Sequence, residues 1–254
     1  MPMHIKQKFC TTGLAMILTL MLFSTAFADM KDVLKRWPKT LQYRDQMGSE
    51  LDVTVTYYSA EYIEALVKME ADKNLWTADE MENYKYELLQ MLRLDEYIPI
   101  FVEFDNRGPA MHMAPFDRQI HLLLDGDKYS PVEYDKRFNF KLLGKRDGFV
   151  FFPRFDENTG ESLLEGVKRA KVTISTSISS TAEGAAFMDF FWDIRDDDPA
   201  SLYSGRAAAK LEIDRLIKRL EILSSKKDDL ESQLAEVLAE LDMVNQRIEE
   251  LRKE

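Results

Sequence analysis

The chain of 254 residues holds one cysteine, Cys10, and three histidines. A single thiol excludes a disulfide framework and a cysteine cage for a metal, since each needs at least two. Glycine (10) and proline (8) are sparse. No glycine-rich phosphate cradle and no G-x-S-x-G nucleophile elbow occurs, and the glycines that are present read as turns. Cationic side chains are outnumbered, 34 Lys and Arg against 45 Asp and Glu, for a formal net charge of −11. An acidic chain lacks the positive field that gathers phosphate backbones or anionic headgroups, which excludes nucleic acid and an anionic membrane surface as partners.

Long apolar runs are missing too, apart from one at residues 14–23. Lys6 and Lys8 precede it without an acidic residue, and Ala26 and Ala28 follow it. Positive charge, apolar core and small residues in that order predict a signal peptide over residues 1–28, cut before Asp29. The apolar core is short of the ~20 residues that a bilayer span needs. Cleavage removes Cys10, so a thiol nucleophile is excluded from the mature chain. It also removes Lys6 and Lys8, which takes the charge from −11 to −13. The sequence thus predicts a periplasmic or secreted protein, not inserted in a membrane after cleavage. The roughly 175 residues before the C-terminal segment suffice for one hydrophobic core without disulfides.

The middle of the chain alternates between two periods. Residues 51–58 (LDVTVTYY) oppose Val53 and Val55 to Thr54 and Thr56, as a strand does. Ser59 caps a predicted helix over 60–72, and Thr77 with Glu80 forms a capping box opening a second helix over 78–94. Both are amphipathic and are expected to pair over a sheet or across its open end. From residue 98 the period becomes two: Ile100, Val102 and Phe104 share a face until Asn106-Arg107-Gly108-Pro109 closes the strand. Residues 119–124 form the next strand, ended by the turn Asp125-Gly126. Residues 128–134 form an edge strand containing Pro131. Phe138, Phe140 and Leu142 line another, Asp147-Gly148 turns it into residues 149–155, Asn158-Thr159-Gly160 turns again, and Val172, Ile174 and Ile178 line the last.

Short strands closed by Gly, Asp or Asn predict a β-sandwich. The succession IPIFVEFDN, IHLLLDGDKYSPV, RFNFKL, GFVFFPRF and AKVTIS within residues 97–178 resembles the immunoglobulin-like β-sandwiches of small exported bacterial proteins. The expected fold is α+β, an immunoglobulin-like β-sandwich with a two-helix insertion, and the resemblance implies a binding or adaptor domain, many of which have no catalysis.

Chemistry-bearing residues are few. Met111-His112-Met113 with His121 pairs thioether and imidazole donors, a set suited to a soft ion such as Cu(I). The simpler reading is core methionines beside ordinary histidines, with no metal and no cofactor. Residues 156–161 (DENTGE) echo the start of a calcium loop, but its twelfth position is Val167 in place of the bidentate Glu, so a hairpin turn is expected. Ser175, Ser177, Ser179 and Ser180 read as a solvent face without a histidine partner. In residues 187–192 (FMDFFW) the aromatics close one end of the domain, and the acidic run Asp196-Asp197-Asp198 begins a linker. The alternative is a partner contact through Phe187, Phe190, Phe191 and Trp192, since such side chains dominate interfaces. No enzymatic activity is expected.

The C-terminal segment carries the plainest pattern. Ile213, Leu220, Lys227, Leu234, Leu241 and Ile248 occupy a positions of a heptad, and Ala209, Leu216, Leu223, Leu230, Val237, Val244 and Leu251 occupy d. Spacings of three and four without Pro or Gly predict a coiled coil over 209–254, joined to a body at 29–198 by a linker at 199–208. Lys226 facing the partner's Glu231 attracts in a parallel dimer, while Arg247 facing the partner's Arg252 repels. Ile217 and Leu238 at e widen the stripe and admit a third helix. The expectation is self-association, as a parallel dimer first and a trimer next, or docking on another protein's helix. The chain accordingly reads as an exported scaffold or adaptor; the alternative is a periplasmic ligand- or metal-binding protein built on the Met/His set.

Overall fold

The computed structural model describes residues 30–156, 159–182 and 184–252, so the expected signal peptide lies outside the described residues. Residues 30–36 are helical (α1) and lead into β1 (Pro38–Arg44) and β2 (Glu50–Tyr57). Two helices follow, α2 (Ala60–Asn74) and α3 (Ala78–Leu92), then β3 (Tyr97–Met111), β4 (Ile120–Leu124), β5 (Asp127–Tyr129) and β6 (Glu133–Tyr134). The chain continues through β7 (Leu142–Pro153), β8 (Arg169–Ser175), β9 (Phe187–Asp193) and the long α4 (Gly205–Leu251). It is an α+β protein with two antiparallel sheets, ordered β1-β2-β3-β7-β6 and β5-β4-β8-β9, and a long C-terminal helix. Among the described residues, those up to Tyr203 form one compact unit, and those from Ser204 form a second.

The chain changes sheet between β3 and β4, between β5 and β6, and between β7 and β8. The period of two decides what each strand buries. Val53 and Val55, Ile100 and Val102, and Val150 and Phe152 come from the first sheet; Leu122, Val172, Ile174 and Phe190 come from the second. All belong to one continuous core, so the facing sides of both sheets are buried together.

Several boundaries differ from the sequence reading. Asn106-Arg107-Gly108-Pro109 does not end β3: the strand runs on to Met111 through a bulge between Asn106 and Met111. The buried Asn106 side chain holds that bulge, donating to the carbonyl of Pro109 (2.8 Å) and accepting from Gly108 N–H (3.1 Å). The predicted strand 128–134 is two strands in different sheets, because Pro131 stands where the chain crosses over. Phe138 and Phe140 do not share a strand face: residues Lys136–Asn139 form a 3-10 turn, with Phe138 buried and Phe140 exposed. Asp147-Gly148 is no turn, for it lies inside β7 opposite Glu103 and Val102. Gly148 is there for room, since a Cβ would stand 2.7 Å from Cβ of Asp135. Two further strands, β1 and β9, escaped the sequence reading, and Ile178 sits in a 3-10 turn after β8.

The helix pair forms where its caps predict. Ser59 accepts from Tyr62 N–H (3.0 Å), and the Thr77–Glu80 capping box is complete. The buried residues include Ile63, Val67 and Ala71 on α2 and Leu88, Leu89 and Leu92 on α3. Lys85, almost wholly buried, reaches Glu64 of α2 at 3.7 Å, so its charge is paired where its stem is packed.

Candidate functional site

A cavity of about 660 Å³ opens where α1, β1, the start of α2 and the end of β9 converge. It is lined by Trp37, Phe191 and Trp192, by the cations Arg36 and Lys39, and by Glu61, Asp193, Asp196 and Asp197. Its wall is built from the chain's two ends of the body. The Trp192 indole donates to the carbonyl of Trp37 at 2.6 Å, and the Trp37 indole donates to Glu61 at 3.1 Å. Tyr57 stacks on Trp37 with ring centroids 5.6 Å apart and lies 6.1 Å from Trp192. Arg36 closes an ion pair with Glu61.

Asp197 is the polar centre of this wall. It accepts from Ala60 N–H, the first residue of α2, at 2.8 Å and from the Tyr57 hydroxyl at 3.2 Å. Partial burial raises its pKa, and those two donors pull it back only in part. Burial likewise pushes the Tyr57 phenol well above its ordinary value, with Asp197 adding to the effect. Asp198 accepts from Ala200 N–H (3.0 Å) and so caps the 3-10 turn Pro199–Leu202. Two of the three aspartates expected to begin a solvated linker therefore hold local structure. The cleft offers aromatic surface and both signs of charge, and its lining contains no Ser, Cys or His.

Residues 187–192 resolve into strand β9, at the edge of the second sheet. Phe190 and Trp192 point into the core, whereas Phe187 and Phe191 are 55% and 60% exposed. Strand alternation thus separates Phe190 and Trp192 from Phe187 and Phe191, although Phe191 and Trp192 both line the cleft. Lys171 lies over Phe191 (5.7 Å) and reaches Asp189 (3.4 Å), which puts a cation beside the exposed ring.

The Met/His set does not converge. Met111 and Met113 are buried in the core, His112 is exposed, and its backbone N–H bonds the carbonyl of Ile178 (3.3 Å). His121 stands half-buried on β4; burial and then Lys128 lower its pKa, against Asp117. Thioethers inside and imidazole outside make a poor joint ligand set. No cluster of three or more His, Cys, Asp or Glu suited to a metal occurs among the described residues. In the 156–161 loop, Asp156 accepts from Thr159 N–H (2.9 Å) and its carbonyl accepts from Gly160 N–H, which is turn geometry. Ser175 and Ser177 hydroxyls bond each other (2.7 Å) beside the 3-10 turn.

On the outer face of the first sheet, Glu103 of β3 lies directly opposite Asp147 of β7. Burial raises the Glu103 pKa, Asp147 adds to the rise, and Lys145 opposes it. Thr40, Thr54, Asp52, Asp105, Lys145 and Arg146 surround that pair, so the surface carries both signs of charge.

The second unit is one helix of 47 residues, α4. Its large apolar side chains from Ile213 to Leu251 are between 43% and 68% exposed. They include Leu216, Leu220, Leu223, Leu230, Leu234, Val237, Leu241, Val244 and Ile248 of the heptad rows. Lys227, in the a row, pairs with Glu231 one turn on (3.3 Å). No described helix is long and apolar enough to cross a membrane. Comparison of the chain with protein-family models, curated proteins and solved structures finds no match.

Proposed function

We propose that the chain is an exported, non-enzymatic scaffold or adaptor that self-associates through a coiled coil formed by α4 and presents an immunoglobulin-like β-sandwich as its binding body. One observation carries this reading: a helix of 47 residues leaves an entire heptad stripe of Leu, Ile and Val in water. Soluble chains seldom leave so long an apolar surface uncovered unless another surface covers it. Covering it removes apolar area from solvent at ~25 cal/mol per Å², which favours association.

The strand order supports the sandwich. Matching β2, β3, β7 and β6 to strands A, B, E and D, and β5, β4, β8 and β9 to C′, C, F and G, reproduces the immunoglobulin-type arrangement. In that frame α2 and α3 are an insertion between A and B, and β1 is an added edge strand. The cleft at Trp37 and Asp197 is then the body's own binding surface. Export rests on the N-terminal pattern of Lys6, Lys8, the apolar run and Ala26-x-Ala28.

Light scattering on a sizing column tests the reading. Residues 29–254 are expected to run as a dimer or trimer, and a version ending at Ser204 as a monomer. Two monomers would overturn self-association. The mature N-terminus, read by mass spectrometry, is expected at Asp29, and an intact Met1 would overturn cleavage.

A further inference from the structure

The strongest unassigned feature of the molecule is the charge order beside the apolar stripe of α4. The g positions read Glu212, Arg219, Lys226, Gln233, Glu240 and Arg247, all exposed. We infer that the occupant of the stripe is a second copy of this chain running antiparallel. This inference rests on the self-association proposed above and replaces the parallel alignment that the heptads alone suggest.

Orientation decides which flanking residues meet. In a parallel pair, g of one helix faces e of the next heptad in the other. The only charged meetings are then Lys226 with the partner's Glu231, which attracts, and Arg247 with the partner's Arg252, which repels. The two cancel. In an antiparallel pair the g rows face each other. A pair centred between Asp229 and Leu230 sets Glu212 against the partner's Arg247, Arg219 against the partner's Glu240, and Lys226 against the partner's Gln233. Two-fold symmetry repeats each pair, so four meetings of opposite charge form along the g rows and none of like charge there.

That centre also overlaps the heptads over their whole length, from Ala209 to Leu251, so charge and apolar rows agree on one register. The other flank carries Lys210, Ile217, Ser224, Glu231, Leu238, Asn245 and Arg252 at e. Away from the ends its one charge is Glu231, which nears its own copy at the two-fold, a single like-charge approach against four attractive pairs. Lys227 and its intrahelical partner Glu231 fall near the centre. There the lysine stem can cover the seam while its ammonium stays in water. In an antiparallel pair the N-terminal ends of the two α4 helices lie at opposite ends of the coiled coil. At 1.5 Å per residue the 47 residues of α4 span about 70 Å.

Spin labels distinguish the arrangements in the chain from Asp29 to Glu254, which contains no native cysteine. Single Lys218→Cys and Gln246→Cys variants place labels on the outer surface. An antiparallel dimer predicts label separations of about 35 Å and about 50 Å respectively, from twice the distance to the centre. A parallel dimer predicts about 20 Å at both, from an interaxial distance of 8–10 Å plus two label arms. A dimer with short distances at both sites overturns the orientation and leaves self-association standing. A trimer does the same, and a monomer overturns both.

A charge exchange gives a second readout that does not depend on labels. Glu240→Arg is expected to raise the dimer dissociation constant roughly tenfold at low salt. Adding Arg219→Glu should restore it. In a parallel dimer residue 219 faces the partner's Ser224 and residue 240 faces the partner's Asn245, so the second change would rescue nothing. Absence of rescue overturns the antiparallel pairing.

Discussion

Asp197 accepts the backbone N–H of Ala60 at 2.8 Å, which ties the segment after the last strand to the first turn of α2. The same carboxylate takes the buried Tyr57 hydroxyl, so one side chain joins β2, α2 and the approach to the second unit. Removing it exposes two costs together, an unpaired Ala60 N–H at the start of α2 and a phenol without its acceptor. Asp197→Ala should destabilise the β body by about 1–2 kcal/mol in urea unfolding. A change within 0.3 kcal/mol would show that water replaces the carboxylate.

The pH response of this site has a definite sign. Burial raises the Asp197 pKa in the folded chain above the ordinary carboxyl value of 3.8. The folded state then holds its proton more tightly than the unfolded chain does. The contribution is fully present below 3.8 and is lost as pH rises through the folded value. Stability of the wild type minus that of Asp197→Asn should therefore be larger at pH 3.5 than at pH 7. The opposite trend would mean that the hydrogen bonds outweigh burial.

Trp192→Phe keeps an aromatic ring in the core but deletes the donor to the Trp37 carbonyl (2.6 Å). A buried carbonyl left unpaired costs about 1–3 kcal/mol. The expected loss is about 2 kcal/mol, with the Trp37–Tyr57 stack reporting in near-UV circular dichroism.

Gly148→Ala tests whether the glycine serves room or flexibility. Its added Cβ would meet Asp135 at 2.7 Å, and Arg137 holds the Asp135 carboxylate in place (2.7 Å). Overpacking of this kind costs about 1–3 kcal/mol. An unchanged melting temperature would require the β6–β7 region to shift freely.

Glu103 facing Asp147 is a like-charge cross-strand pair, which disfavours the sheet at neutral pH. Glu103→Gln should stabilise the body by about 0.5 kcal/mol at pH 7. Because the folded Glu103 pKa is raised, the wild type recovers as pH falls, and the difference should vanish below about pH 4. A gain that persists at pH 3 would point to packing in place of charge.

The helices and most strand cores were legible because their signals are local. Ser59 and the Thr77–Glu80 box need only their own backbone, and the alternation of Ile100, Val102 and Phe104 needs only one buried side. Strand β1 was not legible, since all seven of its residues are half-buried or exposed at an edge. The candidate cleft was only half legible. Phe191 and Trp192 stood out by composition, but Trp37, Glu61 and Asp197 acquire meaning only once residues 155 positions apart, Trp37 and Trp192, share a hydrogen bond.

The sequence by itself determined the periods, caps and charge order of this protein, because these depend on residues a few positions apart. It also determined that α4 would be a long helix with one apolar stripe, a consequence of unbroken heptads without Pro or Gly. Only the tertiary structure decided which glycine is a turn and which is a close approach, as Gly126 and Gly148 show. It alone separated Phe190 and Trp192 in the core from Phe187 and Phe191 in solvent, and Met111 and Met113 from His112. The reason is the same in each case: burial depends on which distant strand lies opposite, and a single stretch of chain does not carry that information.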